Sequence, residues 1–225
     1  MKYLNFSLGI CLFLATILTA QTKQISIEEI WNGTFRTEGM DVLHSMKNGQ
    51  QYSVLNFDRQ TGTTSIDIYD YETLQKVKTL VNSGDLNQIQ YFTDYTFSDD
   101  ESKIILATEE ESVFRRSTLG IYFIYDTKDE SITKIFDQKI QEPTLSPDGS
   151  KVAYGFKNNL YVKDLLSGAE MQITMDGEKD KIINGITDWV YEEEFSFVRA
   201  FEWNAVSNKI AFIRFDETKV PEFSM

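Results

Sequence analysis

The sequence predicts an all-β chain that forms part of a β-propeller, with about three to four four-stranded antiparallel blades. Aromatic residues make up 13% of the 225 residues, which suits the pleated, half-buried surface of a sheet. Short apolar runs alternate with polar residues at period two and are separated by Asp, Ser, Gly and Asn, as expected for antiparallel hairpins. These strands recur in units of roughly 40 to 60 residues without a long helical pattern, which is typical of propeller blades.

The first repeated phrase is a polar turn followed by a strand. Its four copies lie at Asn48–Leu55, Phe97–Leu106, Leu145–Tyr154 and Trp203–Phe212. Equivalent positions in these copies, Gln51, Lys103, Lys151 and Lys209, are separated by 52, 48 and 58 residues. A long, regular spacing of this kind indicates a repeated structural unit.

The second repeated phrase is a short strand that ends at an aspartate and leads into a turn and another strand. The paired strands are predicted at Ser65–Asp70 with Lys76–Leu80, Ile121–Asp126 with Ile132–Phe136, and Asn159–Asp164 with Ala169–Thr174. A last strand is predicted at Ile210–Phe215. A β-sandwich also contains many short strands, but its strands would not recur in ordered pairs at this long period, so the pattern favours the propeller.

The predicted organisation has three parts. Residues 1–20 resemble a secretory signal peptide, because Lys2 is followed by an apolar run from Leu8 to Leu18 and by a small residue at Ala20. Residues 21–47 form an N-terminal extension, and residues 48–225 form the propeller. We therefore expect export to the periplasm, the cell surface or the medium; Leu18 fits a cleavage site poorly, which leaves a retained anchor as the alternative.

Ring closure is expected to need more chain than this. About three and a half blades would leave a sheet face and a sheet edge uncovered. We therefore expect residues 48–225 to be an incomplete propeller, from either a longer protein or a truncated gene model, with no α/β-hydrolase domain in this chain.

Composition excludes several classes of function. The formal net charge of −13 argues against nucleic acid, whose binding depends on Lys and Arg, and favours a cationic ligand group. The single cysteine, Cys11, lies in the predicted signal, so we expect neither a disulfide nor a thiolate-bound metal. With one histidine, His44, and no G-x-S-x-G motif, we expect no catalytic residue, no metal site and no cofactor in this chain.

One segment interrupts the repeats. Asn184–Phe195 places Trp, Tyr and Phe around three consecutive glutamates and accounts for the longest repeat spacing. Asp188 is predicted to cap a short helical turn that holds the glutamates, because its side chain can accept hydrogen bonds from free backbone N–H groups. The alternative is an acidic surface loop.

Three segments resemble the dipeptidyl peptidase IV family of the prolyl oligopeptidase clan. Asn184–Glu194 resembles the segment that contains the family's D-W-V-Y-E-E-E motif. Phe114–Ser117, followed by Tyr122–Asp126, is similar to the family's W-R-H-S ahead of a strand, and Ala211–Pro221 is similar to the segment after the glutamates. The resemblance covers most of the chain from about Ile27 onward and identifies it as the N-terminal propeller portion of such an enzyme.

The resemblance implies an eight-bladed propeller above an α/β-hydrolase domain that supplies Ser, Asp and His. It implies that Glu193 and Glu194 bind the free amino terminus of a peptide substrate and that Arg115 contacts a substrate carbonyl. Two departures, Phe114 for Trp and Arg116 for His, leave a one-residue shift open that would make Arg116 the contact. The implied partners are the peptide, the hydrolase domain and, in the full-length enzyme, a second copy in a homodimer.

The implied activity is release of X-Pro or X-Ala dipeptides from free peptide amino termini by a serine-type peptidase. Two alternatives stay open. One is a relative that resembles prolyl tripeptidyl peptidases, and the other is a non-enzymatic periplasmic binding module that resembles TolB-type propellers.

Overall fold

The computed structural model describes residues 24–37, 39 and 41–221, so the predicted signal peptide at 1–20 and its Cys11 lie outside the described residues. The chain divides into two units, one up to Asp41 and one from Val42. In the first unit, helix α1 (Ile27–Trp31) begins with a capping box, in which the Ser26 hydroxyl and the Glu29 carboxylate each accept from the other residue's backbone N–H. No helix within the described residues is long and apolar enough to span a bilayer.

The second unit contains three four-stranded antiparallel sheets, in each of which the strands follow chain order. Sheet 1 contains β1 (Leu43–Ser45), β2 (Gln51–Asp58), β3 (Thr63–Asp70) and β4 (Lys76–Asn82). Sheet 2 contains β5 (Asp94–Phe97), β6 (Lys103–Ser112), β7 (Thr118–Asp126) and β8 (Ile132–Lys134). Sheet 3 contains β9 (Gln141–Leu145), β10 (Lys151–Phe156), β11 (Asn159–Asp164) and β12 (Glu170–Gln172). Sheet 1 thus already begins at Leu43, within the predicted extension 21–47.

Still within the second unit, a smaller group of strands follows the three sheets and holds the inserted helix. We call this group the fourth unit because it follows sheet 3. Its elements are β13 (Ile182–Asn184), α2 (Trp189–Phe195), β14 (Phe201–Trp203), β15 (Ile210–Phe212) and β16 (Arg214–Asp216). Strand β13 pairs with β16, and β14 pairs with β15. The all-β, partial-propeller prediction with a short helical insertion is confirmed. The strand predicted at Ile210–Phe215 is divided at Ile213, whose backbone N–H donates to Ala200 O and whose carbonyl accepts from Gly185 N–H.

The repeated turn has the same hydrogen bonds in sheets 2 and 3. Ser98 Oγ donates to Asp100 at 2.7 Å and accepts from the Lys103 N–H at 2.9 Å, while Asp100 also accepts from Ser102 N–H at 3.1 Å. The Ser146 and Asp148 side chains and the Ser150 backbone N–H repeat this arrangement ahead of β10. These local bonds satisfy the backbone donors that precede each strand, which explains why the phrase recurs.

The core lies between neighbouring sheets, and the central strands contribute to it from both of their faces. On β6, Ile104 and Leu106 pack into the cluster shared with sheet 1, whereas Ile105 and Ala107 pack into the cluster shared with sheet 3. Because successive side chains of a strand point to opposite faces, a sheet covered on both sides needs a continuous apolar run. The same alternation on β10 packs Ala153 toward the fourth unit, together with Phe201.

Candidate functional site

Helix α2 carries the three glutamates and is fixed at both ends by local hydrogen bonds. At its start, the Asp188 side chain accepts from the Tyr191 N–H at 2.8 Å. At its end, Ser196 adopts a left-handed conformation with φ of 60° and donates its N–H to the Glu192 carbonyl at 3.1 Å. The predicted capping of a short helical turn by Asp188 is confirmed.

The first of the three glutamates, Glu192, points into the protein. Its side chain is fully buried, and Oε1 accepts hydrogen bonds from the backbone N–H groups of Arg116 and, at 3.1 Å, Ser117. These donors belong to the β6–β7 loop, 76 and 75 residues earlier in the chain. A single carboxylate therefore joins helix α2 to a loop of sheet 2.

The Glu192 carboxylate is stabilised in its ionised form. Burial acts to raise its pKa, but the nearby Ser117 side chain, the two backbone N–H donors and the charge of Arg116 together hold the pKa below its usual value. Its second oxygen, Oε2, is buried and, like Ser117 Oγ, makes no well-formed hydrogen bond within the described residues.

The second glutamate, Glu193, meets the predicted arginine. Arg115 Nη1 lies 3.3 Å from Glu193 Oε2, with the arginine side chain 71% exposed and the glutamate side chain 19% exposed. The turn that presents Arg115 is closed by a hydrogen bond of 2.9 Å from Val113 N–H to Ser117 O. The structure thus brings together two of the three predicted binding residues.

The third glutamate and the second arginine are placed differently. The Glu194 side chain is exposed, and within the described residues its carboxylate takes part in no ion pair or hydrogen bond. Arg116 does not pair with Glu193; instead it lines a neighbouring cavity. The assignment of Glu193, Glu194 and Arg115 as substrate contacts, and the choice between Arg115 and Arg116, stay predictions.

The cavity has a volume of about 520 Å³ and lies where strands β5, β9 and β14 approach one another. Its charged lining combines five carboxylates with two arginines: Asp94, Asp99, Glu110, Glu142, Glu202, Arg116 and Arg199. Its surface is therefore predominantly acidic, which suits a cationic ligand group.

Two cavity residues are missed by the sequence analysis. Arg199, in the segment between α2 and β14, forms an ion pair of 2.9 Å with Glu202 on β14. Burial raises the pKa of Glu142, with the charge of Arg199 acting in the opposite direction and the charge of Glu192 adding to the rise. The closeness of Arg199 to the glutamate motif is a signal that could have found it, but nothing in the sequence singles out Glu142.

Among residues 24–37, 39 and 41–221, no three His, Cys, Asp or Glu side chains are placed to share a metal ion. His44 lies on β1, where its ring packs edge-on against Tyr95 with centroids 4.9 Å apart.

Comparison with known proteins supports the resemblance seen in the glutamate segment. A family model described as the dipeptidyl peptidase IV N-terminal region matches residues 98–225. The human protein named prolyl endopeptidase FAP is 30% identical over 202 residues, and dipeptidyl peptidase 4 of Felis catus is 33% identical over 183 residues. These matches cover 88% and 79% of this chain but only 25% and 22% of the relatives.

A solved structure also matches. The crystal structure of Porphyromonas gingivalis dipeptidyl peptidase 4 superposes with a TM-score of 0.80 at 32% identity. The match covers 89% of this chain and 29% of that protein. The chain therefore spans only about a quarter of the length of the curated relatives it matches.

Proposed function

This chain belongs to the family of the dipeptidyl peptidase IV N-terminal region, and from that premise we propose that it is the substrate-anchoring propeller portion of a serine-type dipeptidyl peptidase. In this proposal Glu193 and Glu194 bind the free amino terminus of a peptide, and Arg115 contacts a carbonyl of the same peptide. The observation that carries the proposal is the ion pair between Arg115 and Glu193, because it brings two segments far apart in sequence to one place.

The chemistry of an amino terminus matches these groups. A peptide ammonium has three donors and one positive charge, and a charge-assisted hydrogen bond to a carboxylate contributes roughly 1.5–3 kcal/mol. Glu194 is exposed and has both oxygens available to accept such bonds. The Arg115–Glu193 pair is largely exposed on the arginine side, so it contributes less than about 1 kcal/mol and can rearrange when a ligand binds.

The acidic surroundings favour the same ligand. The cavity lined by Arg116, the neighbour of Arg115 in the chain, has more carboxylates than arginines, and the chain as a whole has a net charge of −13. A potential of this sign attracts a cationic group, gives no such attraction to a neutral acetylated one, and repels an acidic one. A free amino terminus is therefore preferred over an acetylated one.

Anchoring the amino terminus would turn a general peptidase into a dipeptide-releasing enzyme. When the first residue is fixed by Glu193 and Glu194, only one peptide bond along the chain reaches a serine nucleophile at a set distance. In the proposal that serine belongs to an α/β-hydrolase domain, the partner of this propeller in an exported full-length enzyme. Loss of the anchor would then lower kcat together with affinity, because alignment in the transition state is lost.

The test uses the full-length enzyme with Gly-Pro p-nitroanilide and its N-acetylated form. Glu194→Gln removes one charge while keeping the shape of the side chain. We expect kcat/KM for the substrate with the free amino terminus to fall at least about tenfold. The matched control is Glu72→Gln, in the exposed turn between β3 and β4, which should behave as wild type. An unchanged kcat/KM in Glu194→Gln would reject the anchoring role.

A further inference from the structure

We propose that Glu192 is a positioning residue, whose buried carboxylate sets the distance between the loop that carries Arg115 and the helix that carries Glu193 and Glu194. The inference rests on the proposed function and extends it to a residue that need not contact the substrate. Glu192 differs from its two neighbours because it is the one of the three glutamates that is fully buried.

Burial makes this carboxylate energetically unusual. Removing a carboxylate from water is unfavourable unless donors replace the lost hydration. Within the described residues no cationic side chain forms an ion pair with Glu192, and its hydrogen bonds come from two backbone N–H groups. An apolar side chain of similar size would fill the same space without that desolvation, so space filling alone does not account for a glutamate here.

The hydrogen bonds of Glu192 link helix α2 to the β6–β7 loop, and both ends of this link lie directly beside the proposed binding groups. Glu192 immediately precedes Glu193 on the helix, and the Arg116 and Ser117 N–H groups immediately follow Arg115 in the loop. A shift of the loop relative to the helix would therefore move Arg115 away from Glu193. Their ion pair is too exposed to prevent such a shift alone.

The link also joins parts of the protein that are not neighbours in the sheet order. The loop belongs to sheet 2 and the helix to the fourth unit, while sheet 3 packs between them through separate apolar clusters. Packing between adjacent sheets fixes each interface separately. The Glu192 hydrogen bonds act across both interfaces at once, which is how a preorganised binding site is held in place.

The experiment compares two substitutions in the full-length enzyme. Glu192→Met keeps the volume but removes the acceptor, and we expect kcat/KM for Gly-Pro p-nitroanilide to fall between about tenfold and a hundredfold, as misplaced binding groups do. Glu192→Gln keeps an oxygen that can accept from both N–H groups, so it should recover most of that loss. Equal losses in the two variants would contradict the positioning role.

A double-mutant cycle separates positioning from a general effect on stability. If Glu192 acts through Arg115, then Glu192→Gln and Glu192→Met should lower kcat/KM by less than about twofold when Arg115 is already alanine. The fall in melting temperature should be the same in both backgrounds. Additive losses in kcat/KM would overturn the inference, and if Glu192→Met does not fold, Glu192→Leu, which also lacks the acceptor oxygens, takes its place in the cycle.

Glu194→Gln, measured in the same series, distinguishes failure of this inference from failure of the proposed function. If Glu194→Gln retains wild-type kcat/KM and wild-type discrimination against the acetylated substrate, the anchoring proposal fails, and this inference with it. If Glu194→Gln loses activity while the Glu192 and Arg115 effects simply add, only the positioning role is rejected.

Discussion

The two effects of Asp188 on the chain can be separated by replacing it with asparagine and with alanine. Its side chain caps helix α2 by accepting from the Tyr191 N–H at 2.8 Å. It also faces Glu217: burial, a hydrogen bond with Asp188, and the charges of Asp188 and Asp180 together raise the pKa of Glu217 to about 7. Asparagine removes the charge but keeps the acceptor oxygen, whereas alanine removes both.

Measured in a Glu217→Ala background, which removes the hydrogen bond that residue 188 can make to Glu217, the difference between the two variants isolates the cap. Asparagine and aspartate cap helices about equally well, and loss of such a cap costs about 0.5–2 kcal/mol. In a protein of this size, 1 kcal/mol corresponds to roughly 2–4 °C in melting temperature. We expect the Asp188→Ala variant to melt about 1–8 °C below the Asp188→Asn variant at pH 8, the middle of this range corresponding to a cap of about 1 kcal/mol.

Thermal unfolding of the full chain, followed by circular dichroism, measures this difference. Without the Glu217 carboxylate, neither the hydrogen bond nor the charge repulsion between residues 188 and 217 contributes to the difference between the two variants. If the two variants melt at the same temperature, the Asp188 oxygen does not hold the helix, and the capping argument is refuted.

Three further predictions concern stability. Folding raises the pKa of Glu217 from 4.5 to about 7, so the folded chain holds this proton more tightly than the unfolded chain does. The resulting stabilisation is complete below pH 4.5 and is lost as pH rises through about 7. Glu217→Gln should therefore flatten the fall in melting temperature across this pH range. Hydrogen bonds, of which those from the Ser102 and Ser98 hydroxyls are the largest, lower the pKa of Asp100 from 3.8 to about 2. The ionised carboxylate therefore stabilises the folded chain above pH 3.8, and this stabilisation is lost as pH falls through about 2. The stability of Asp100→Asn in acid should depend less on pH than that of the wild-type chain. Leu160→Ala, at a fully buried position, should lower the free energy of unfolding measured in urea by about 2–5 kcal/mol, whereas Leu166→Ala, at a 97% exposed position, should change it by less than about 0.5 kcal/mol.

The sequence predicts the sheets well because their signals are local. The turns before β6 and β10 are closed by side chains within a few residues of one another, and the capping oxygen of Asp188 is three residues from its donor. The break at Ile213 is different, since it depends on backbone hydrogen bonds to Gly185 and Ala200. A strand pattern contains no information about which distant backbone it will meet.

The candidate site is only partly visible in the sequence for the same reason. Three consecutive glutamates on a helix point in directions about 100° apart, but the pattern does not say which of them faces inward. That choice is made by the Arg116 and Ser117 N–H groups, some 75 residues away in the chain. The glutamates can therefore be found from the sequence, whereas the inward orientation of Glu192 requires the structure.

In the proposed function, the packing of sheet 3 between sheet 2 and the fourth unit would give that sheet an indirect influence on substrate selection. Packed sheets lie about 10 Å apart, so the side chains on its two faces limit the range of distances over which the Glu192 hydrogen bonds can hold the Arg115 loop to helix α2. Val152 and Tyr154 fill one face, and Ala153 and Leu160 fill the other. If Arg115, Glu193 and Glu194 bind a peptide as proposed, then changing the size of these core residues would alter the spacing of the binding groups without changing the binding groups themselves.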